Sequence, residues 1–172
     1  ESVSALDFGA RGDGSTDDTT ALAAAFDYAI PLGRPVVLEG DYIVSAGIQT
    51  YATGYRASGE LHIVCKGRVT ITVTSGATAF RELLYFHTAA ENHGSISGGS
   101  LSINCNSKAA SGITFRHDAA SQGGTVNISC PVEVLNCVNN DATAPYENQA
   151  ISVYGDYRSA TIDHAPVDGV SR

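Results

Sequence analysis

The chain has 172 residues, of which 43% are hydrophobic, and its 18 acidic and 10 basic side chains give a formal net charge of -8. This composition is too apolar for a disordered chain, and the few Lys and Arg residues argue against a nucleic-acid-binding surface, which needs clustered positive charge. No apolar run approaches the ~20 residues of a membrane span, so we expect no membrane insertion.

Residues 1–33 are predicted to form a strand, a glycine-rich turn and a helix. The strand covers residues 4–8, and the turn covers residues 9–14, where glycines permit positive φ angles. Thr16 is predicted to be the helix N-cap, with Asp17 and Asp18 in the first turn, where the helix dipole favours negative charge.

The predicted helix has one apolar face, because its apolar residues recur at steps of three and four. These residues are Leu22, Ala25, Phe26 and Ala29, and Gly33 is expected to end the helix. The acidic residues of this segment fit positions in turns and caps, so we interpret them as structural rather than catalytic. They are Asp7, Asp13, Asp17 and Asp18.

Residues 34–45 read as two short strands around a corner at Gly40 and Asp41, since Val37, Tyr42 and Val44 alternate as in strands covered on one face. Residues 47–60 are rich in Gly, Ser, Thr, Ala and Tyr, and their composition predicts a loop or an irregular strand.

From residue 61 the chain repeats with a period near 32. Isoleucines start comparable strands at spacings of 33, 32 and 34, and these are Ile63, Ile96, Ile128 and Ile162. Segments 96–105 and 128–137 align without a gap, and each repeat has a second apolar cluster, at residues 83–86, 113–115 and 151–153. Self-similarity at a fixed period is typical of a solenoid, in which each repeat buries its apolar face against its neighbours.

The repeat also arranges the 4 cysteines in rows, with Cys65, Gly98 and Cys130 in one row and Cys105 and Cys137 in another. Their spacing fits no metal-binding pattern, so no metal site is expected. No cofactor is expected either, because the pairs Gly98-Gly99 and Gly123-Gly124 are followed by no helix and read as turns. We interpret the cysteines as buried free thiols, and disulfides remain the alternative.

The opening of the chain resembles the pectate-lyase-like proteins, a superfamily that includes phage tailspikes and tail fibres, polygalacturonases and related glucanases. The resemblance is carried by residues 7–10 (Asp-Phe-Gly-Ala), 12–14 (Gly-Asp-Gly) and 16–19 (Thr-Asp-Asp-Thr). It implies an all-β solenoid, specifically a right-handed single-stranded parallel β-helix with an N-terminal capping α-helix. Residues 1–172 would then be one domain, with the opening strand, turn and capping helix in residues 1–33 and the rungs in residues 34–172.

The last repeat, from residue 160, stops within a unit at Arg172 without a C-terminal cap. Because a solenoid needs a polar end or a continuing stack, we expect the native chain to continue, or other chains to cover this end.

Polar residues of the later repeats are the candidates for carbohydrate chemistry. Tyrosines can stack on sugar faces, and the candidate sugar-binding residues are Tyr146, Tyr154 and Tyr157. Glycoside hydrolysis needs paired carboxyl groups, and the candidate catalytic residues are Glu147, Asp156 and Asp163. Glu133 is interpreted as a solvated charge on the outer face.

The resemblance to phage members implies a tailspike or tail-fibre domain in the virion tail. Such a domain would act as a homotrimer and would bind and depolymerise a bacterial surface polysaccharide, either a capsule or an O-antigen. Two alternatives remain open. One is a fragment of a secreted pectin- or glucan-degrading enzyme, which predicts disulfides, and the other is a non-enzymatic β-helix that only stiffens a tail.

Overall fold

The structure, a computed structural model, describes residues 1–49, 60–88, 93–117, 124–138, 150–154 and 157–162. These residues include the helix α1 (Thr19–Ala29) and two 3-10 helices, Ala5–Phe8 and Ile30–Leu32. In chain order the strands are β1 (Val3–Ser4), β2 (Asp13–Asp17), β3 (Val36–Val44), β4 (Ile48–Gln49), β5 (Leu61–Val73), β6 (Phe80–Thr88), β7 (His93–Asn104), β8 (Ala109–His117), β9 (Gly124–Ile128), β10 (Val132–Leu135), β11 (Ile151–Tyr154) and β12 (Tyr157–Ile162).

The strands form two parallel sheets. The first has the order β1-β3-β5-β7-β9-β12, with β2 paired to β3 and β10 paired to β7, and the second has the order β11-β8-β6-β4. From β3 to β9 the chain alternates between the two sheets, so each return to a sheet adds a parallel strand beside the previous one. β10 then follows β9 in the first sheet, before β11 in the second and β12 in the first. The described chain is therefore mostly β with little helix, an arrangement consistent with a β-helix-like solenoid.

The repeat predicted from the sequence is confirmed by the strand register. In the first sheet, Ile63 pairs with Ile96, Ile96 with Ile128, and Ile128 with Ile162. The second apolar cluster forms a row of its own, since Leu84 pairs with Ile113, which pairs with Ile151. Like residues therefore lie above one another through successive strands.

The core lies between the sheets, because alternate residues of each strand point inward. The predicted apolar face of α1 is confirmed, since Leu22, Ala25, Phe26 and Ala29 are all buried. The Phe26 ring packs edge-on against Phe86 at 5.5 Å between centroids, and Phe86 packs against Phe115 at 5.8 Å. These aromatic contacts pack α1 against the second sheet. No helix in the described ranges has the length and apolar character needed to cross a bilayer.

Three predictions for the opening segment are wrong. The strand predicted at residues 4–8 ends at Ser4, because the Ser4 hydroxyl accepts a hydrogen bond from the Leu6 amide and Gly9, at φ 90°, closes a 3-10 helix. Thr16 is not the helix N-cap, because its amide and hydroxyl donate to the Asp13 carboxylate. Asp17 and Asp18 do not lie in the first turn of the helix: Asp17 ends β2, and Asp18 is the residue that precedes α1.

Later turns differ from the prediction in detail. Gly33, at φ 59°, ends the helical segment as predicted, after the second 3-10 helix. The corner at Gly40 is a bend within the single strand β3, where the register with β5 shifts. The gapless alignment of residues 96–105 with 128–137 is wrong by one residue after the bend at Gly98, because Ile96 pairs with Ile128 but residues 101–104 pair with residues 132–135.

Candidate functional site

A row of polar side chains crosses the outer face of the first sheet. Asp41 of β3 pairs with Thr70 of β5, Thr70 with Ser102 of β7, and Ser102 with Glu133 of β10. The residues on either side of each of these positions in β5, β7 and β10 are buried, so the row faces outward. The Thr70 hydroxyl donates to Asp41 Oδ1 at 2.6 Å, and the Ser102 hydroxyl donates to Glu133 Oε2 at 3.1 Å.

Charged residues flank this row at a bend shared by successive strands. Gly40, Gly67 and Gly98 all have positive φ, at 97°, 74° and 99°, so β3, β5 and β7 turn at the same level. Lys66 Nζ lies 2.8 Å from Glu39 Oε2 in an exposed ion pair. Arg68 follows the bend in β5 and pairs with Ser100 of β7.

Arg68, Ser102 and Glu133 face one cavity of about 260 Å³. Ser100, Leu101, Pro131 and Val132 complete its lining. A guanidinium offers forked donors that match a carboxylate, while the Glu133 carboxylate accepts hydroxyl hydrogens. The cavity therefore combines the polar groups that recognise an acidic sugar with an apolar floor.

The polar row does not contain a hydrolytic carboxylate pair. Three strand-to-strand steps of about 4.8 Å separate Asp41 from Glu133, which places the two residues about 14 Å apart. Retaining glycosidases need about 5 Å between carboxyl groups, and inverting enzymes need about 6.5–9.5 Å. Elimination needs instead a base and a positive charge that holds the uronate carboxylate, and Glu133 and Arg68 provide these types of group in one cavity.

Glu82 is a buried carboxyl group in the second sheet, with 7% of its surface exposed. Burial raises the pKa of Glu82, and the charges of Arg81 and Arg116 only partly oppose this effect. Raised carboxyl pKa values are common in active sites, but a substrate cannot reach a side chain buried this deeply. We therefore interpret Glu82 as a structural group.

Replacing Glu82 by glutamine is expected to stabilise the protein at neutral pH. Because the folded-state pKa is raised, ionisation favours the unfolded chain, so stability is lost as pH rises from the unfolded pKa through the folded one. The melting temperature of Glu82→Gln should exceed that of the wild type near pH 7, and the difference should disappear near pH 4. A difference that stays constant across this range would show that the carboxyl group does not titrate as described.

Asp13→Asn is the control with the opposite sign. Hydrogen bonds from the amides and hydroxyls of Thr16 and Ser15 lower the pKa of Asp13, so its contribution is present above the unfolded pKa and is lost as pH falls. This substitution should therefore reduce the melting temperature near pH 7 more than at acidic pH.

The acidic residues of the opening segment have structural roles, as predicted for Asp13, Asp17 and Asp18. Asp13 holds the amides of Ser15 and Thr16, and Asp17 accepts from the Thr19 amide and hydroxyl. Asp18 accepts from the amides of Arg11 and Gly12. Among the described residues, no group of three or more His, Cys, Asp or Glu is arranged to hold a metal ion.

The cysteine rows are confirmed in part. Cys65 pairs with Gly98 in the ladder, and the sulfur atoms of Cys105 and Cys137 lie 3.2 Å apart. All of these cysteines and Cys130 are free thiols. Burial raises the pKa of Cys65 to about 12, which leaves little reactive thiolate at neutral pH.

Most of the site residues predicted from the sequence lie outside the described ranges, namely Tyr146, Glu147, Asp156 and Asp163. Tyr154 ends β11 in the second sheet, and Tyr157 begins β12 in the first sheet. Their roles in sugar binding and catalysis remain predictions. Sequence reasoning did not identify Arg68 or Ser102, and it treated Glu133 only as a solvated charge.

Comparison with protein-family models matches residues 2–55 to a family described as rhamnogalacturonase A/epimerase, pectate lyase-like. The match covers the opening segment, β3 and β4, and it supports the resemblance of this chain to the pectate-lyase-like superfamily. Such a match indicates a polysaccharide-related β-helix domain. Neither the curated proteins nor the solved structures contain a match to the chain.

Proposed function

We propose that this chain is a right-handed parallel β-helix domain of a phage tailspike or tail fibre, closed at one end by α1. It binds a bacterial surface polysaccharide, depolymerises it, and acts as a homotrimer in the virion tail. The observation that carries the proposal is the outward cavity where Arg68, Ser102 and Glu133 meet on a stack of parallel strands. The pectate-lyase-like match over residues 2–55 and the Asp-Phe-Gly-Ala opening support it.

The cavity fits a sugar that carries a carboxylate. Arg68 would bind the carboxylate through paired N–H groups, and Glu133 would accept hydrogen bonds from ring hydroxyls while Ser102 holds it in place. Because the polar row lacks a second carboxyl group at hydrolytic distance, elimination at a uronate is the cleavage that these residues fit best. Glu133 would then remove the C5 proton, next to the carboxylate that Arg68 neutralises. The C4–C5 double bond would form as the C4–O glycosidic bond breaks, and the leaving sugar oxygen would take a proton from water.

The test is binding to a panel of acidic capsular polysaccharides and O-antigens, with polygalacturonate as the plant cell-wall comparison. Loss of a charge-assisted hydrogen bond predicts that Arg68→Ala weakens binding of the recognised glycan by about 10- to 100-fold. Lys66→Ala is the matched control, because Lys66 lies at the same bend but pairs with Glu39 outside the cavity. Equal losses for both variants, or no glycan bound by folded wild type, would contradict the proposed binding site.

Cleavage is followed on the same glycans through new reducing ends and the ultraviolet absorbance of unsaturated uronate. Elimination predicts that the absorbance appears and is lost in Glu133→Gln, whereas hydrolysis predicts reducing ends without it. A bound glycan that yields neither product would leave a non-enzymatic tail component, and would overturn depolymerisation. Sedimentation analysis would test the trimer separately.

A further inference from the structure

A second polar cluster lies on the outer face of the first sheet, on the other side of the glycine bend. His62 Nδ1 lies 2.7 Å from the Ser95 hydroxyl oxygen, and His62 Nε2 lies 2.9 Å from Glu60 Oε2. The three side chains thus form a continuous hydrogen-bonded chain of hydroxyl, imidazole and carboxylate. The cavity lined by Arg68 and Glu133 includes none of them.

The strand register creates this chain of contacts. His62 of β5 pairs directly with Ser95 of β7, which brings side chains of the same face within about 5 Å. Glu60 precedes His62 by two residues and so projects to the same side. The Glu60 amide donates to the Ile30 carbonyl oxygen at 3.2 Å, which anchors the carboxylate-bearing residue at the end of the helical segment.

The order of the groups matches that of an activated serine. An ionised carboxylate can only accept, so when the imidazole is neutral its contact with Glu60 places the ring hydrogen on Nε2. Nδ1 is then the acceptor of the Ser95 hydroxyl hydrogen, which is the arrangement a general base needs in order to activate a nucleophile. The group is open to solvent, since 24% of the His62 side chain and 45% of the Glu60 side chain are exposed.

The next strand provides a hydrogen-bond donor on the far side of Ser95. Asn127 of β9 pairs with Ser95 in the ladder, and its side chain is exposed on the same face. Base, nucleophile and amide therefore occupy neighbouring positions of one row. A side-chain amide in this position can stabilise the oxyanion of an acyl-transfer intermediate.

We propose that Ser95, His62 and Asn127, with Glu60 as a positioning residue, form an ester-hydrolysing site that takes O-acyl groups. Ser95 Oγ attacks the ester carbonyl carbon, and its proton moves to His62 Nδ1. The bond from the carbonyl carbon to the alcohol oxygen breaks, and the alcohol leaves with that proton. Water then attacks the acyl-serine, gives its proton to Nδ1, and releases the carboxylic acid as Ser95 regains its hydrogen.

The test uses 4-nitrophenyl acetate, with release of nitrophenolate, and a fluorophosphonate probe that labels activated serines. We expect wild-type turnover and one label per chain, located on Ser95 by mass spectrometry. General-base catalysis contributes about 10²–10⁴-fold, so Ser95→Ala and His62→Gln should lose turnover by at least 100-fold, together with the label. Asn127→Ala should lower kcat by about 10²-fold without preventing labelling.

Thr125→Ala is the matched control, because Thr125 lies on the same face and its hydroxyl also contacts a histidine, at 2.7 Å from His93 Nδ1. It should retain wild-type turnover. Glu60→Gln keeps an acceptor for Nε2 but removes the charge, so kcat should fall by about tenfold while KM is unchanged. Wild type that neither turns over the ester nor labels Ser95, or Ser95→Ala that retains activity, would overturn the proposal.

The natural substrate class, O-acylated polysaccharide, rests on the proposed function. Release of acetate from an O-acetylated glycan tests that part, whereas the small ester and the probe test the site by itself. Ester turnover without any glycan binding would leave the site standing and remove the polysaccharide function. Glycan binding without ester turnover or labelling would overturn the ester-hydrolysing site and leave the polysaccharide function in place.

Discussion

Gly98→Ala is expected to lower the free energy of unfolding by about 3–5 kcal/mol, because it combines backbone strain with a steric clash. Gly98 has φ 99°, a conformation that costs an alanine about 1–2 kcal/mol. An added Cβ would also lie well inside van der Waals contact of the Cys65 carbonyl oxygen in the neighbouring strand. The Cys65 carbonyl oxygen and the Gly98 Cα that would carry the Cβ are both backbone atoms of one parallel ladder, so neither can move without disturbing the pairing. Urea unfolding measures the change.

Gly67→Ala is the matched control for this prediction. Gly67 occupies the same bend one strand earlier, at φ 74°, but nothing lies within 4 Å of an added Cβ. Only the conformational term remains, so a loss of about 1–2 kcal/mol is expected. Equal losses for the two substitutions would mean that the backbones at the bend are less closely packed than the structure has them.

The stacked strands were predictable because burial imposes a repeated pattern on the sequence. Inward residues such as Ile63, Ile96 and Ile128 must match their neighbours above and below, so they recur at the period of the ladder. The same reasoning predicted the contact between Cys105 and Cys137, whose sulfur atoms lie 3.2 Å apart.

The cavity was not predictable because it depends on a local change in chain length. β7 is continuous across the bend at Gly98, whereas its neighbours β9 and β10 are separate strands. The number of residues between paired positions falls by one from β9 to β10, because Ile96 pairs with Ile128 but Leu101 pairs with Val132. That single residue moves Glu133 beside Ser102 rather than beside Leu101. Repeat alignment uses the average period, and it cannot detect a one-residue shift within a bend.

The contact between Ser95 and His62 has a signal in the sequence, which is the spacing of the two residues. His62 and Ser95 are 33 residues apart, the same spacing as the adjacent buried pair Ile63 and Ile96. An outward row can therefore be read with the same period as an inward row. The signal is weaker because solvent tolerates many polar residues on the outer face, while the core accepts few types.

Asp18→Ala is expected to lower the free energy of unfolding by about 2–4 kcal/mol, because it leaves two backbone donors without their acceptor. Asp18 is 1% exposed, and its carboxylate accepts the Arg11 amide at 2.8 Å and the Gly12 amide at 3.1 Å. Its own amide donates to the Ile43 carbonyl oxygen of β3 at 2.8 Å. The side chain thus connects the turn before β2 to the start of α1. The contact with the first sheet is made by the backbone amide, which alanine retains.

Two further substitutions separate this role of Asp18 from simple helix capping. Asp17→Ala removes an exposed carboxylate that accepts from the Thr19 amide, so its loss should be nearer the ~1 kcal/mol of an ordinary cap. Asp18→Asn keeps one carbonyl oxygen for the two amides. Its free energy of unfolding should therefore lie between those of Asp18→Ala and Asp17→Ala. If Asp18→Ala and Asp17→Ala prove equally mild in urea unfolding, the Asp18 carboxylate is not the connection between the turn and α1. If only Asp18→Ala lowers the free energy of unfolding strongly, the opening segment is stabilised by this one buried carboxylate. The other acidic residues around it would then contribute little.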